Sequence, residues 1–181
     1  MTKLWQPNPA LLYHLSEDAT ISQFAPRPHP RKPEHPPIVW AIQGSLVANY
    51  LLPRDCPRIC MRCDQQTSPD DQTRFFGLSN AQTIIAIEHA WLDRIRATTL
   101  YAYAFEQADF ELADAAAGYW ISFRHVDPIA MHPIDDLLGQ LVSLGVELHV
   151  MPNLWRLHDS VAQSSLQFSM IRMRNATARS E

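Results

Sequence analysis

Apolar and polar positions divide this chain into short runs, most of them of strand length. The clearest is TTLYAYAF (98–105), where Thr99, Tyr101, Tyr103 and Phe105 alternate with Leu100, Ala102 and Ala104. A period of two places the two sets on opposite faces of a strand. IVWAI (38–42), rich in β-branched and aromatic residues, is a predicted strand, and TIIAIE (83–88) reads as a buried strand. LLYHL (11–15), GYWISF (118–123) and VELHV are further predicted strands.

Helical spacing is strongest later in the chain. IDDLLGQLVSLG fits a helix that opens after Pro133 and closes at Gly145, with Leu137, Leu138, Leu141 and Leu144 on its buried stripe. From Asn153 a final helix is expected to carry Leu154, Leu157, Val161, Ser165 and Phe168 at three- and four-residue steps. Shorter helical pieces are predicted at LVANYLL, HAWLDRIR and FELADAAA, and DQQTSPDDQT (64–73) reads as a polar acidic loop. This order lacks the strict strand–helix alternation of a doubly wound parallel sheet. The expected fold class is therefore α+β, with a mixed or mainly antiparallel sheet of short strands and helices concentrated in the C-terminal third.

The length of 181 residues fits a single domain over 1–181. APRPHPRKPEHPP holds six prolines between Pro26 and Pro37, which excludes helix and central strand. We expect a rigid surface loop over 26–37, with a ligand for a proline-reading domain as the alternative, and a flexible tail from about residue 175.

Composition narrows the function classes. Hydrophobic residues make up 46% and charged residues 19%, ordinary for a globular chain. A net charge of -4 supplies no basic footprint for nucleic acid, although Arg27, Arg31 and Lys32 lie together. No apolar run approaches the ~20 residues of a membrane span. The first residues also lack the apolar core of a secretory signal, so a cytoplasmic location is expected. No G-x-S-x-G, phosphate-binding glycine loop or G-x-G-x-x-G occurs, and no cofactor is implied.

Two sets of residues invite a chemical reading. CPRICMRC places Cys56, Cys60 and Cys63 in C-x3-C-x2-C spacing. This is the spacing of the radical S-adenosylmethionine enzymes, in which three thiolates hold an iron–sulfur cluster. Here Arg62 stands where an aromatic residue is usual, and no Gly-Gly pair occurs. Zinc, with His89 or another histidine as fourth ligand, is the second reading. The third is buried apolar filler, favoured because a strand over RICMRC would point Cys60 and Cys63 to opposite faces. On that ground no metal is expected there. The histidines (His14, His29, His35, His89, His125, His132, His149, His158) are scattered and form no ligand spacing.

The stretches LYHLSED…ISQFAPRP, VWAI, YLLPRDCPR, AGYWIS, DLLGQLVSLGVEL and FSMIRMRNA resemble a family of bacterial proteins of unknown function, over nearly the whole chain. A more remote resemblance joins the YH of the first strand, the following I-x-x-F-x-P, VWAI, and LYAYAFEQADFE…GYWISFRHVDPI to ADP-ribosyltransferase-like domains. It implies that His14 holds a ribose. The hydroxyl expected on the second strand is replaced by Trp40 and Ala41, and the glutamate before the late strand by Tyr119. A neutral tyrosine neither stabilises oxocarbenium-like charge nor takes a proton from an acceptor. Glu111 and Asp114 are the nearest upstream substitutes. The expected site is therefore an aromatic cleft of His14, Tyr13, Trp40, Tyr119 and Trp120 that binds a nucleotide-like small molecule, with no catalytic residue assigned. An active transferase and an interaction protein using the proline-rich loop are the alternatives.

Overall fold

The structure is a computed structural model that describes residues 4–28, 34–115 and 117–179. In chain order its strands are β1 (Leu12–Ser16), β2 (Val39–Gln43), β3 (Arg58–Arg62), β4 (Thr83–Glu88), β5 (Leu100–Phe105), β6 (Glu111–Asp114), β7 (Tyr119–Ser122), β8 (Ala130–Ile134), β9 (Val146–Met151) and β10 (Gln167–Ile171). The α-helices are α1 (Pro69–Phe76), α2 (Leu92–Ala97), α3 (Leu137–Ser143) and α4 (Trp155–Val161). The class is α+β, with two mostly antiparallel sheets of short strands. Backbone contacts gather the chain into two compact units: residues up to Leu51 with Thr99–Asp135, and Leu52–Thr98 with residues from Asp136 onward.

The first unit is built on one six-stranded sheet in the order β6-β7-β2-β1-β5-β8, antiparallel throughout. Leu12, Val39, Ala41, Tyr103 and Phe105 project to one face and pack with Phe24, Phe110 and Val126. Phe24 sets its ring edge-on to Tyr103 and Phe105, at 5.2 Å from each. Each fully buried large apolar side chain of this kind contributes about 1.5–3 kcal/mol. The opposite face carries Tyr13, whose hydroxyl accepts from Asn8 N–H (2.8 Å) and whose ring meets Trp5 at 5.1 Å. The Asn8 turn and Gly44 lie so close that a Cβ on Gly44 would stand 2.4 Å from the Asn8 carbonyl oxygen. Arg27 and Ile38 pair across the ends of the proline-rich stretch (2.9 and 3.0 Å), and residues 29–33 of that loop lie outside the described residues.

The second unit holds a four-stranded sheet in the order β10-β3-β4-β9. β3 is antiparallel to both neighbours, while β4 and β9 run parallel. Ile84, Ile85, Ala86 and Ile87 of β4 are all fully buried. This central strand is covered on both faces, which is why its sequence runs apolar without alternation. One face packs Ile59, Met61, Ile84 and Ala86 with Phe76, Leu154 and Val161. Asp136 caps α3 by accepting from Gly139 N–H, and Gly145 takes a positive φ of 74° just beyond it.

Four predicted elements come out differently. FELADAAA is not helical: Glu111–Asp114 forms edge strand β6, and its pairing with β7 outweighs the helix propensity of alanine, leucine and glutamate. The final helix stops at Val161; the chain turns through Ser164 and Ser165, and Phe168 lies on β10. The acidic loop contains the start of α1, capped by the Ser68 hydroxyl on Asp71 N–H with Pro69 in the first turn. Pro133 does not open a helix but sits in edge strand β8 opposite Tyr101. No helix among the described residues is long and apolar enough to cross a membrane.

Candidate functional site

The centre of the first sheet is forked. β1 pairs with β5 along its full length, Leu12 to Ser16, but with β2 only at Leu12↔Gln43 and Tyr13↔Ile42. β2 meanwhile stays paired with β7 down to Val39. Beyond Tyr13 the two central strands therefore part, and a backbone carbonyl at the parting needs another donor. The His14 ring supplies it, with Nδ1 2.8 Å from the Trp40 carbonyl oxygen. A carbonyl only accepts, so Nδ1 carries a proton.

The surroundings of His14 follow from strand alternation. Its ring packs on Phe24 at 4.9 Å. Tyr103 lies directly across on β5, and its hydroxyl donates to the Asp18 carbonyl (2.7 Å) while accepting from Ile21 N–H (3.3 Å). That one hydroxyl anchors the segment that brings Ile21 and Phe24 over this face. Ser16 accepts from Asp18 N–H at 3.1 Å and stands opposite Tyr101.

The five expected cleft residues do not share one face. Ala41 is opposite Trp120, and the continued β1–β2 register sets Ala41 beside His14. His14, Ala41 and Trp120 thus form a row with the smallest side chain in the middle, and Trp120 packs on the Phe24 core. Trp120 Nε1 is the buried side-chain polar atom without a hydrogen-bond partner among the described residues. Leaving such a donor unmade costs about 1–3 kcal/mol.

Tyr13, Trp40 and Tyr119 project to the other face, since adjacent residues of a strand point opposite ways. Tyr13 is buried, and burial raises its hydroxyl pKa above the ordinary value of tyrosine. Trp40 is 38% exposed and meets the Tyr119 ring edge-on at 5.7 Å. Tyr119 shares a 2.5 Å hydroxyl–hydroxyl bond with Tyr50, a residue the sequence did not mark because it ends a short 3-10 helix (Gly44–Tyr50) without periodicity.

Glu111 and Asp114 belong to β6, three strands from β1, or about 14 Å at the usual strand spacing. Neither reaches His14. A shallow hollow between β6 and β7, lined by Asp109, Phe110, Glu111, Ile121, Phe123 and Arg124, measures about 80 Å³. That is well below the ~300 Å³ of an ordinary ligand pocket.

The cysteines lie in the second unit and are free thiols. Burial pushes Cys56 and Cys60 up to about 12, against a smaller opposite pull from Arg58. Cys63 is partly exposed and packs on the Ile59–Met61 side of the sheet, away from Cys60. Among the described residues no group of three His, Cys, Asp or Glu side chains is disposed to hold a metal ion.

Residues 13–176 match the model of a family of unknown function, DUF6886. The chain belongs to this family. No curated protein and no solved structure matches it. The DUF6886 stretch takes in the fork with His14, Trp40 and Trp120 of the first unit and all three cysteines.

Proposed function

We propose that the fork between β1 and β2 binds a small nucleotide-like molecule on the His14–Trp120 face, as a binding site to which no catalysis is assigned. The observation that carries this reading is the parting of the two central strands at His14, whose ring is fixed there by the Trp40 carbonyl. The buried, unpartnered indole N–H of Trp120 adds a donor that lacks an acceptor. Together they suit a planar ligand that sets a carbonyl or ring nitrogen on Trp120 Nε1 and lies beside the His14 ring, as a nucleobase with its ribose would. The ligand reaches Ala41 when the segment carrying Ile21 and Phe24 lifts, against the Tyr103 hydroxyl at its start and the Phe24–Val126 backbone bridge (2.9 and 3.0 Å) at its end. The free thiols fit a reducing, cytoplasmic setting.

Binding is favoured over ADP-ribosyl transfer because transfer needs a carboxylate beside the ribose, and Glu111 and Asp114 stand three strands away. Titration of the full chain with NAD, ADP-ribose and adenosine, followed by tryptophan fluorescence and calorimetry, tests the reading. At least one ligand should bind with a Kd below about 1 mM, and His14→Ala should weaken it about tenfold. Trp120→Phe should remove most of the fluorescence change. Silence from all three ligands at ~10 mM, or wild-type binding by both variants, would overturn the proposal.

A further inference from the structure

The second unit gathers a different set of groups at the carboxyl ends of its strands. β10, β4 and β9 all run in one direction, because β3 is antiparallel to β10 and β4 while β9 is parallel to β4. Crevices at such strand ends are where open sheets of α/β type take their ligands. Here the chain's own residues 172–179, which run into the tail expected from about residue 175, lie at those strand ends. Glu88, at the end of β4, is buried, and its carboxylate accepts from Thr177 N–H (2.9 and 3.1 Å) and from the Thr177 hydroxyl (2.9 Å). Trp155 Nε1 donates to the Thr177 carbonyl at 2.6 Å. Arg179 stacks its guanidinium 4.7 Å from the centre of the Trp155 ring and donates to both oxygens of Asp159 (2.8 and 3.0 Å).

These contacts have the character of peptide recognition. A buried acid reads a main-chain N–H and a hydroxyl, an indole reads the next carbonyl, and an aromatic face with a carboxylate fork reads an arginine two residues on. Glu88 is 1% exposed at the inner end, Trp155 is half-buried, and Asp159 is exposed like Thr177, Ala178 and Arg179. Upstream the occupant is tied by Arg172 Nε, which donates to the Arg54 carbonyl (3.2 Å), and by the Asn175 amide, which donates to the Asp55 carbonyl (2.8 Å), so its weaker end is the outer one. The Arg179–Asp159 pair is about half exposed on each side, a class of ion pair that contributes little. The segment leaves β10 through Arg172, at φ 56°, the one non-glycine residue with positive φ among the described residues.

We propose that the Glu88–Trp155–Asp159 groove is a recognition site for an extended Thr-x-Arg peptide, filled in the resting chain by Thr177, Ala178 and Arg179. The tail acts as an internal competitor at the high effective concentration of a tethered ligand. A partner segment of the same chemistry enters when the tail is released.

The probe is a labelled, end-blocked peptide of residues 174–179, RNATAR, added to the full chain. The full-length variant Thr177→Val/Arg179→Ala weakens the tail and leaves the groove intact. It should bind the peptide with a Kd below about 1 mM, and about tenfold more tightly than the wild-type chain does. The same peptide with alanine in place of Arg179 should bind about tenfold more weakly. No binding by the folded variant, or equal binding of the two peptides, overturns the proposal. Native-state hydrogen exchange on the wild-type chain gives an independent reading. The Thr177 amide should exchange through a local opening, faster than the β4 amides; exchange only with global unfolding also overturns it.

Discussion

Alkylation of the three cysteines tests the burial of β3 and its approach most directly. Cys56 and Cys60 are 0% and 3% exposed, with thiol pKa values pushed up to about 12. The reacting species is the thiolate, and at pH 8 a thiol of pKa about 12 is ionised to only about 1 part in 10⁴. An ordinary cysteine at the same pH is ionised to roughly a quarter, so ionisation alone slows the buried pair by more than about a thousandfold. Exclusion of reagent slows them further. Cys63 is partly exposed, and a smaller upward shift from desolvation and from Asp64 leaves it the fastest of the three. A thiol–disulfide reagent at pH 8 should therefore titrate one fast thiol in the native chain and three in guanidinium chloride. Two or three fast native thiols would refute the burial argument.

The same shift sets a pH dependence. Folded pKa values above the unfolded value mean that the unfolded thiols ionise first, so stability falls as pH rises from about 9 towards 12, by about 1.4 kcal/mol per pH unit for each buried thiol. The slope sets in at about pH 8, as the unfolded thiols begin to ionise, and below about pH 7 these thiols contribute none.

Two further substitutions probe the first unit. Gly44→Ala forces a Cβ to 2.4 Å from the Asn8 carbonyl oxygen, a backbone atom that moves only with its turn. A loss of about 1–3 kcal/mol by urea denaturation is expected, and wild-type stability would show the Asn8 turn to be freely displaceable. Tyr103→Phe keeps the ring contact with Phe24 and removes one hydroxyl that serves both Asp18 and Ile21. It should cost about 1 kcal/mol, lower the urea midpoint by about 0.5 M, and speed amide exchange over residues 18–22. An unchanged exchange profile would remove the Tyr103 hydroxyl as anchor of the cover segment.

Strands with a tertiary setting close to the average were legible in the sequence. TIIAIE is β4 residue for residue, because burial on both faces leaves a continuous apolar run. The alternation of LYAYAF sorted β5 onto its faces, with Tyr103 and Phe105 together on the Phe24 side. The misread strands fall at edges. β6 and β8 each have a single neighbour, so an alanine-rich run and a proline are both tolerated there and neither looks like strand. The start of α1 was legible after all: Ser68, Pro69, Asp70 and Asp71 are a cap, a first-turn proline and two acids.

The site was legible in part. His14 stood out as a polar group ending an apolar run, and it does stand where the sheet parts. That Tyr13 and Tyr119 leave for the other face follows from register alone, which depends on how β1, β2 and β7 pair. The Glu88–Thr177 contact joins residues 89 positions apart, and no local pattern announces it.

The two units are threaded through one another along the chain, with crossings after Leu51, Thr98 and Asp135. During synthesis the first unit has only β1 and β2 until the ribosome has passed all of β3 and β4. Its sheet closes only once β5 to β8 emerge. The second unit in turn waits with an antiparallel β3–β4 pair until β9 and β10 appear at the end. Each half therefore holds an unfinished sheet edge while the other is being made, and no single cut of the chain releases either unit whole.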